Sequence, residues 1–168
     1  MTLTAADQRR GSAIAFCLLI VVLVWGVLVV VTPQWRTFAA GSAPRVVAVV
    51  TYAIGATVCH QRPDRSFATN GIAWPVCARC SGLYVSAAVA VVVCLIRFPR
   101  PFCARSSGWW RALFTVAVAP TAASWLLERA NVIATTNMVR ALLGVPLGCL
   151  VPVALVSAWR GGARPNLR

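Results

Sequence analysis

Residues 13–32 read AIAFCLLIVVLVWGVLVVVT, an uninterrupted apolar run without a charge. At about 1.5 Å per helical residue, such a run crosses the roughly 30 Å hydrocarbon core of a bilayer. Arg9 and Arg10 precede it, and Pro33 and Trp35 follow. The small residues of FAAGSA (38–43) suggest a rival, a cleaved secretory signal. A signal has an apolar region of only about 7–15 residues, so the length favours a retained membrane helix. The rest of the chain agrees. It has 168 residues, 60 % hydrophobic and 11 % charged, whereas a soluble domain carries about a quarter charged residues.

Four more apolar runs follow, at 46–59, 81–96, 112–127 and 141–159. The second is short for a span and contains Gly55, which suits a tilted, re-entrant or buried helix. The Trp109–Trp110 pair precedes the fourth as an interfacial anchor, and Pro120 within it predicts a kink. The expected fold is all-α: one polytopic membrane domain over 1–168, a bundle of four to five transmembrane helices, with the loop 60–80 set into it.

The formal net charge is +13, and every basic residue is arginine. The arginines stand at the ends of apolar runs and in the tails, the pattern of membrane flanks facing lipid headgroups and not of a nucleic-acid surface. The expected partners are the bilayer and a second copy or another membrane protein; nucleic acid is excluded. Arg97, Arg100, Arg105 and Arg111 crowd one loop, and Arg160, Arg164 and Arg168 close the chain. Two spans separate these clusters, so both can face the cytoplasm. The expected location is the cytoplasmic membrane, with loop 60–80 on its outer side. Arg9 and Arg10 also favour the cytoplasm, which requires that 46–59 not cross fully.

The loop gathers most of the reactive chemistry. Cys59 and His60 stand at its start, and Cys77-Ala-Arg-Cys80 closes it. Cysteine and histidine ligands, two in C-x-x-C spacing, suit a tetrahedral zinc site made by Cys59, His60, Cys77 and Cys80. Adjacent side chains diverge, so Cys59 and His60 can both ligate only from an irregular turn. A redox reading stands beside the metal one. Cys80 opens a helix and Arg79 is positive, and both favour thiolate. A static disulfide or buried thiols remain the plainest alternative. Cys17, Cys94 and Cys149 lie inside apolar runs and read as small core residues; Cys103 stands alone in an arginine-rich loop.

Cys59-His60-Gln61, Arg65-Ser66-Phe67 and the block from Pro75 to Tyr84 resemble the signature of the domain of unknown function 2085, small membrane proteins of bacteria and archaea. A second block of that family is similar to Pro120, Asn137, Arg140 and Gly144 here. Ser124 stands where the pattern usually has aspartate, and Glu128 where it usually has glutamine. The resemblance spans 59–148 and implies a small polytopic membrane protein without fixing a reaction. If the helix needs an acid, Glu128, one turn on, supplies it.

Glu128 ends the fourth run, and Arg140 opens the fifth. Asn137, Arg140, Gly144 and Gly148 fall within an arc of roughly 80° on a helix. One reading is an anion or substrate pocket made by Arg65, Arg79, Glu128, Asn137 and Arg140. The other is a Glu128–Arg140 pair with a glycine packing seam. Three functions follow: a membrane metal-site protein, a thiol–disulfide protein using the C-x-x-C pair, and a small transporter or structural subunit.

Overall fold

The structure is a computed structural model that describes residues 5–38, 41–96 and 107–162. Five helices dominate: α1 (Ala5–Phe38), α2 (Ser42–Val58), α3 (Ala78–Ile96), α4 (Ser107–Arg129) and α5 (Asn137–Gly162). Between α2 and α3 lie a 3-10 turn, Pro63–Arg65, and a two-stranded antiparallel hairpin, β1 (Ala68–Thr69) and β2 (Ile72–Ala73). The chain is a helical membrane bundle, as its composition required. Among the described residues three segments, Ala13–Arg36, Ala78–Ile96 and Asn137–Ser157, are long and apolar enough to cross a membrane. α2 is shorter, at 17 residues. α4 has 23 residues and runs through Pro120 without a break.

The centre of the bundle is the pair α3 and α5, which run parallel. Gly82 lies against Ala141, Gly144 against Arg79 and Leu83, and Gly148 against Leu83 and Ser86. A Cβ on Gly144 would collide with the Arg79 carbonyl, and one on Gly82 with the Ala141 carbonyl. The small residues therefore let two backbones approach closely, as in other membrane bundles. The seam expected on α5 is present, and Gly82 of α3 answers it. Ser86 Oγ donates to Val145 O at 3.3 Å across the seam. α4 returns antiparallel and is tied to α5 by a hydrogen bond from Thr121 Oγ1 to Leu143 O.

α1 packs antiparallel to α3. Leu19 meets Val91, Cys94 and Val156 in one cluster, and Val29 meets Val76 and Cys59 in another. At 34 residues α1 is roughly 51 Å long, well beyond the hydrocarbon thickness. α2 folds back along its carboxyl half: Arg36 lies 5.0 Å over the Tyr52 ring, and Tyr52 donates to Ala73 O. α2 ends at Cys59, level with the start of α3, and takes its helix packing from α1. The amino end of α1 and the carboxyl ends of α3 and α5 therefore share one end of the bundle. Arg97, Arg100, Cys103, Arg105, Arg164 and Arg168, and the side chains of Arg9, Arg10 and Arg160, lie outside what the structure describes.

One core assignment needs correction. Cys94 is buried and Cys149 half-buried, but Cys17 is exposed. It sits on the outer face of α1 beside Phe16 and Leu18, which are also exposed. Position within an apolar run does not specify burial when the surroundings are themselves apolar, because lipid and protein core accept the same side chains.

Candidate functional site

The end of the bundle where α2 stops and α3 and α5 start carries the polar chemistry. Cys59 closes α2, its N–H donating to Gly55 O at 2.9 Å, in extended conformation (φ −148°, ψ 143°). Gln61 follows with φ 44° and turns the chain, and its side-chain amide donates to Tyr52 O and Pro75 O, both at 2.7 Å. Asn70 (φ 51°) and Gly71 (φ 76°) form the hairpin turn, the pairing that tight hairpins favour. Trp74 packs edge-on to Phe67 and donates to Thr69 Oγ1 at 2.9 Å. Pro75 and Val76 then return the chain to Cys77, whose carbonyl accepts from Ser81 N as α3 begins.

This path brings three thiols together. The sulfurs of Cys59, Cys77 and Cys80 lie within 4.8 Å of one another, and all three are free cysteines. Val29, Val76, Trp25, Trp74 and Tyr84 wall the group. Cys77 N–H donates to Cys59 Sγ at 3.2 Å. Hydrogen bonds from the Cys77 and Cys80 thiols push the Cys59 thiol far below its ordinary range and outweigh its burial. Cys59 is thus the acceptor of the trio.

His60 is not among the clustered ligand atoms. It is exposed. Cys59 is extended, and successive side chains on extended backbone point to opposite sides. The divergence of the Cys59–His60 pair thus places the imidazole at the edge of the group.

The second polar cluster sits beside the first. Glu128 is buried, with a side chain 3 % exposed. Arg140 Nε donates to its Oε1 at 3.0 Å, and Thr135 Oγ1 donates to the same oxygen. Arg79 Nη2 stands 3.5 Å from Oε1, and Arg65 Nη1 3.8 Å from Oε2. Burial works to raise the Glu128 carboxyl, but Thr135, Arg140 and Arg79 hold it below the usual range. Asn137 Oδ1 accepts from Arg140 Nη1 at 2.9 Å, and its amide donates to Ser66 O at 3.0 Å. Asn137 therefore fastens the loop to the start of α5. Arg79 joins the clusters: it lies between Cys77 and Cys80, bonds Ser124 Oγ at 3.1 Å and pairs with Glu128.

A pocket of about 370 Å³ opens beside the thiols, with Arg62, Arg65, Arg79 and Arg129 in its wall. His60 and Trp125 border it too, and the Arg129 guanidinium lies 5.7 Å over the Trp125 ring. Asn137 and Arg140 are not in the lining. Of the residues expected to form an anion site, Arg65 and Arg79 reach the pocket, while Glu128, Asn137 and Arg140 form the support behind it. Arg62, Arg129 and Thr135 were not among the residues expected at a site. Arg129 adjoins Glu128, and helix-end arginines read first as membrane flanks. The Asn70-Gly71 pair was a legible hairpin signal.

A family described as "Predicted membrane protein (DUF2085)" matches residues 59–154. The chain is similar to an uncharacterized protein of Methanocaldococcus jannaschii, 37 % identical over 49 residues, 29 % of this chain and 31 % of that protein. It is also similar to an uncharacterized protein of Methanothermobacter thermautotrophicus, 47 % identical over 30 residues, 18 % of this chain and 27 % of that one. The chain thus matches less than a third of the length of either relative. No solved structure matches it.

Proposed function

The chain belongs to the DUF2085 family of predicted membrane proteins, and we propose that it holds a divalent metal ion, zinc, on the thiols of Cys59, Cys77 and Cys80. The approach of the three sulfurs to within 4.8 Å carries this reading. Around a tetrahedral ion with Zn–S bonds near 2.3 Å, sulfurs stand about 3.8 Å apart, so small side-chain rotations close the site. The depressed Cys59 thiol supports it, because thiolate is the form that ligates. Three protein ligands leave a fourth position. The pocket adjoins the three cysteines, with His60 at its border. Three ligands and an open position are the arrangement of reactive zinc sites more than of structural ones. The membrane is the cytoplasmic one, and the site lies on its outer side, opposite the carboxyl ends of α3 and α5.

Elemental analysis of detergent-purified protein tests the metal. About one zinc per chain is expected, lost in Cys77→Ser and retained in Cys149→Ala. A chain with negligible metal and three freely titrating thiols would exclude this function. The closeness of the three sulfurs also supports a second reading, thiol–disulfide exchange at the Cys77–Cys80 pair with Cys59 as a third participant. It predicts a disulfide that appears on oxidation and leaves a metal-free protein folded. Sidedness is read from single cysteines introduced at Ser106 and Asn166, in a background without reactive thiols. An impermeant maleimide should label them in lysed cells and spare them in intact ones.

A further inference from the structure

The thiols do not account for the arginines around the pocket. Arg62, Arg65, Arg79 and Arg129 line it, and among the described residues no carboxylate does. The acids nearby are already engaged. Asp64 pairs with Arg62 at 3.2 Å and Arg65 at 3.7 Å, and is itself well exposed. Glu128 lies behind the wall and serves Arg140, Arg79 and Arg65 together. Five arginines face two carboxylates, which leaves an excess of three positive charges. Arg79 Nε is buried and has no hydrogen-bond partner, although the other side of its guanidinium bonds Ser124.

We propose that this pocket binds a phosphate-bearing anion through Arg62, Arg65, Arg79 and Arg129. Guanidinium forks match phosphate oxygens in pairs, and an excess of two or more charges suits a dianion better than a single carboxylate. The volume lies at the lower end of small-molecule sites and suits a headgroup or a free phosphate. Trp125 and Val58 line the wall and are themselves exposed, beside exposed Leu126 and Leu127. Such an apolar border would let a lipid phosphate reach the arginines. The site stands on the pocket and its charge and does not require the metal.

The experiment uses the full chain, stripped with a chelator, in discs of zwitterionic lipid. Inorganic phosphate is titrated by calorimetry at low salt. Saturable binding is expected, weakened roughly tenfold or more by Arg62→Gln and by Arg129→Gln and left unchanged by Arg45→Gln. Arg62 and Arg129 are exposed, so neither variant threatens the fold, and an unshifted melting temperature verifies this. A second arm replaces part of the lipid with phosphatidate and reads retained phosphatidate by mass spectrometry. Binding in the first arm identifies a free phosphate ligand. Retention in the second alone, reduced by Arg129→Gln, identifies a lipid headgroup. No binding in either arm, or binding indifferent to both variants, overturns the proposal. Because the protein is metal-free throughout, this result is independent of whether the thiols bind zinc.

Discussion

Glu128→Gln is the most direct perturbation of the structure. Among the described residues the carboxylate is the only acid in contact with Arg140 and Arg79, and its side chain is 3 % exposed. Arg65, at 3.8 Å and 32 % exposed, adds little, as partly solvated pairs do. Removing one partner from a buried pair leaves the other charge uncompensated and costs about 3–5 kcal/mol. Glutamine keeps the volume and one acceptor oxygen for Arg140, which favours the lower part of that range. For a chain of this size each kcal/mol moves the melting temperature by about 2–4 °C, so a drop of roughly 6–12 °C is expected in a detergent thermal-shift assay. The family resemblance supplies the complement. Ser124 stands where the pattern usually has aspartate, and its hydroxyl already accepts from Arg79 at 3.1 Å. Adding Ser124→Asp to Glu128→Gln returns a charge to Arg79 one turn earlier, and should recover about half of the loss. A Glu128→Gln protein melting within about 2 °C of the parent would refute the account of a carboxylate holding the arginines. So would a double variant less stable than the single one.

Three other outcomes follow from the same geometry. The Glu128 carboxyl is held below its ordinary range in the folded chain, so its contribution is complete above the unfolded value, about 4.3, and lost as pH falls through the lower folded value; the melting temperature should fall with acid below about pH 4.5, and Glu128→Gln should flatten that limb. Gly144→Val would drive a side chain into the Arg79 carbonyl and part α3 from α5, with about 1–3 kcal/mol or more of destabilisation and reduced metal content; an unchanged melting temperature would show that the seam tolerates bulk. Stripping the metal should lower the melting temperature of the parent and leave that of Cys59→Ser unmoved; equal shifts in both would place the ion elsewhere.

Much of this arrangement was legible in the residues. Hydropathy alone required a helical membrane bundle, because runs such as 13–32 have no stable soluble form. The loop thiols announced themselves by spacing, and the α5 glycines by their common face. What periodicity could not reach was the depth of α2. Its fourteen-residue apolar run is compatible with several placements, and only its contacts with α1 and the hairpin decide among them. His60 was grouped by adjacency in sequence, but the extended backbone at Cys59 separates neighbours. The partners of Glu128 were half legible. Arg140 is one helix turn into the next element, whereas Arg79 and Arg65 arrive from another segment and need the parallel packing of α3 on α5.

That parallel packing has a consequence for synthesis. The three thiols, α1, α2 and the hairpin all lie within the first 80 residues of the chain, whereas Glu128 and Arg140 lie on α4 and α5. At about 5–20 residues per second, the ribosome needs roughly 2–10 s to pass from Cys80 to Glu128. During that interval the thiol trio can assemble while Arg79 still lacks its buried counter-charge. The part of the chain that carries the thiols is therefore complete before the helices that supply the buried carboxylate and Arg140 are made.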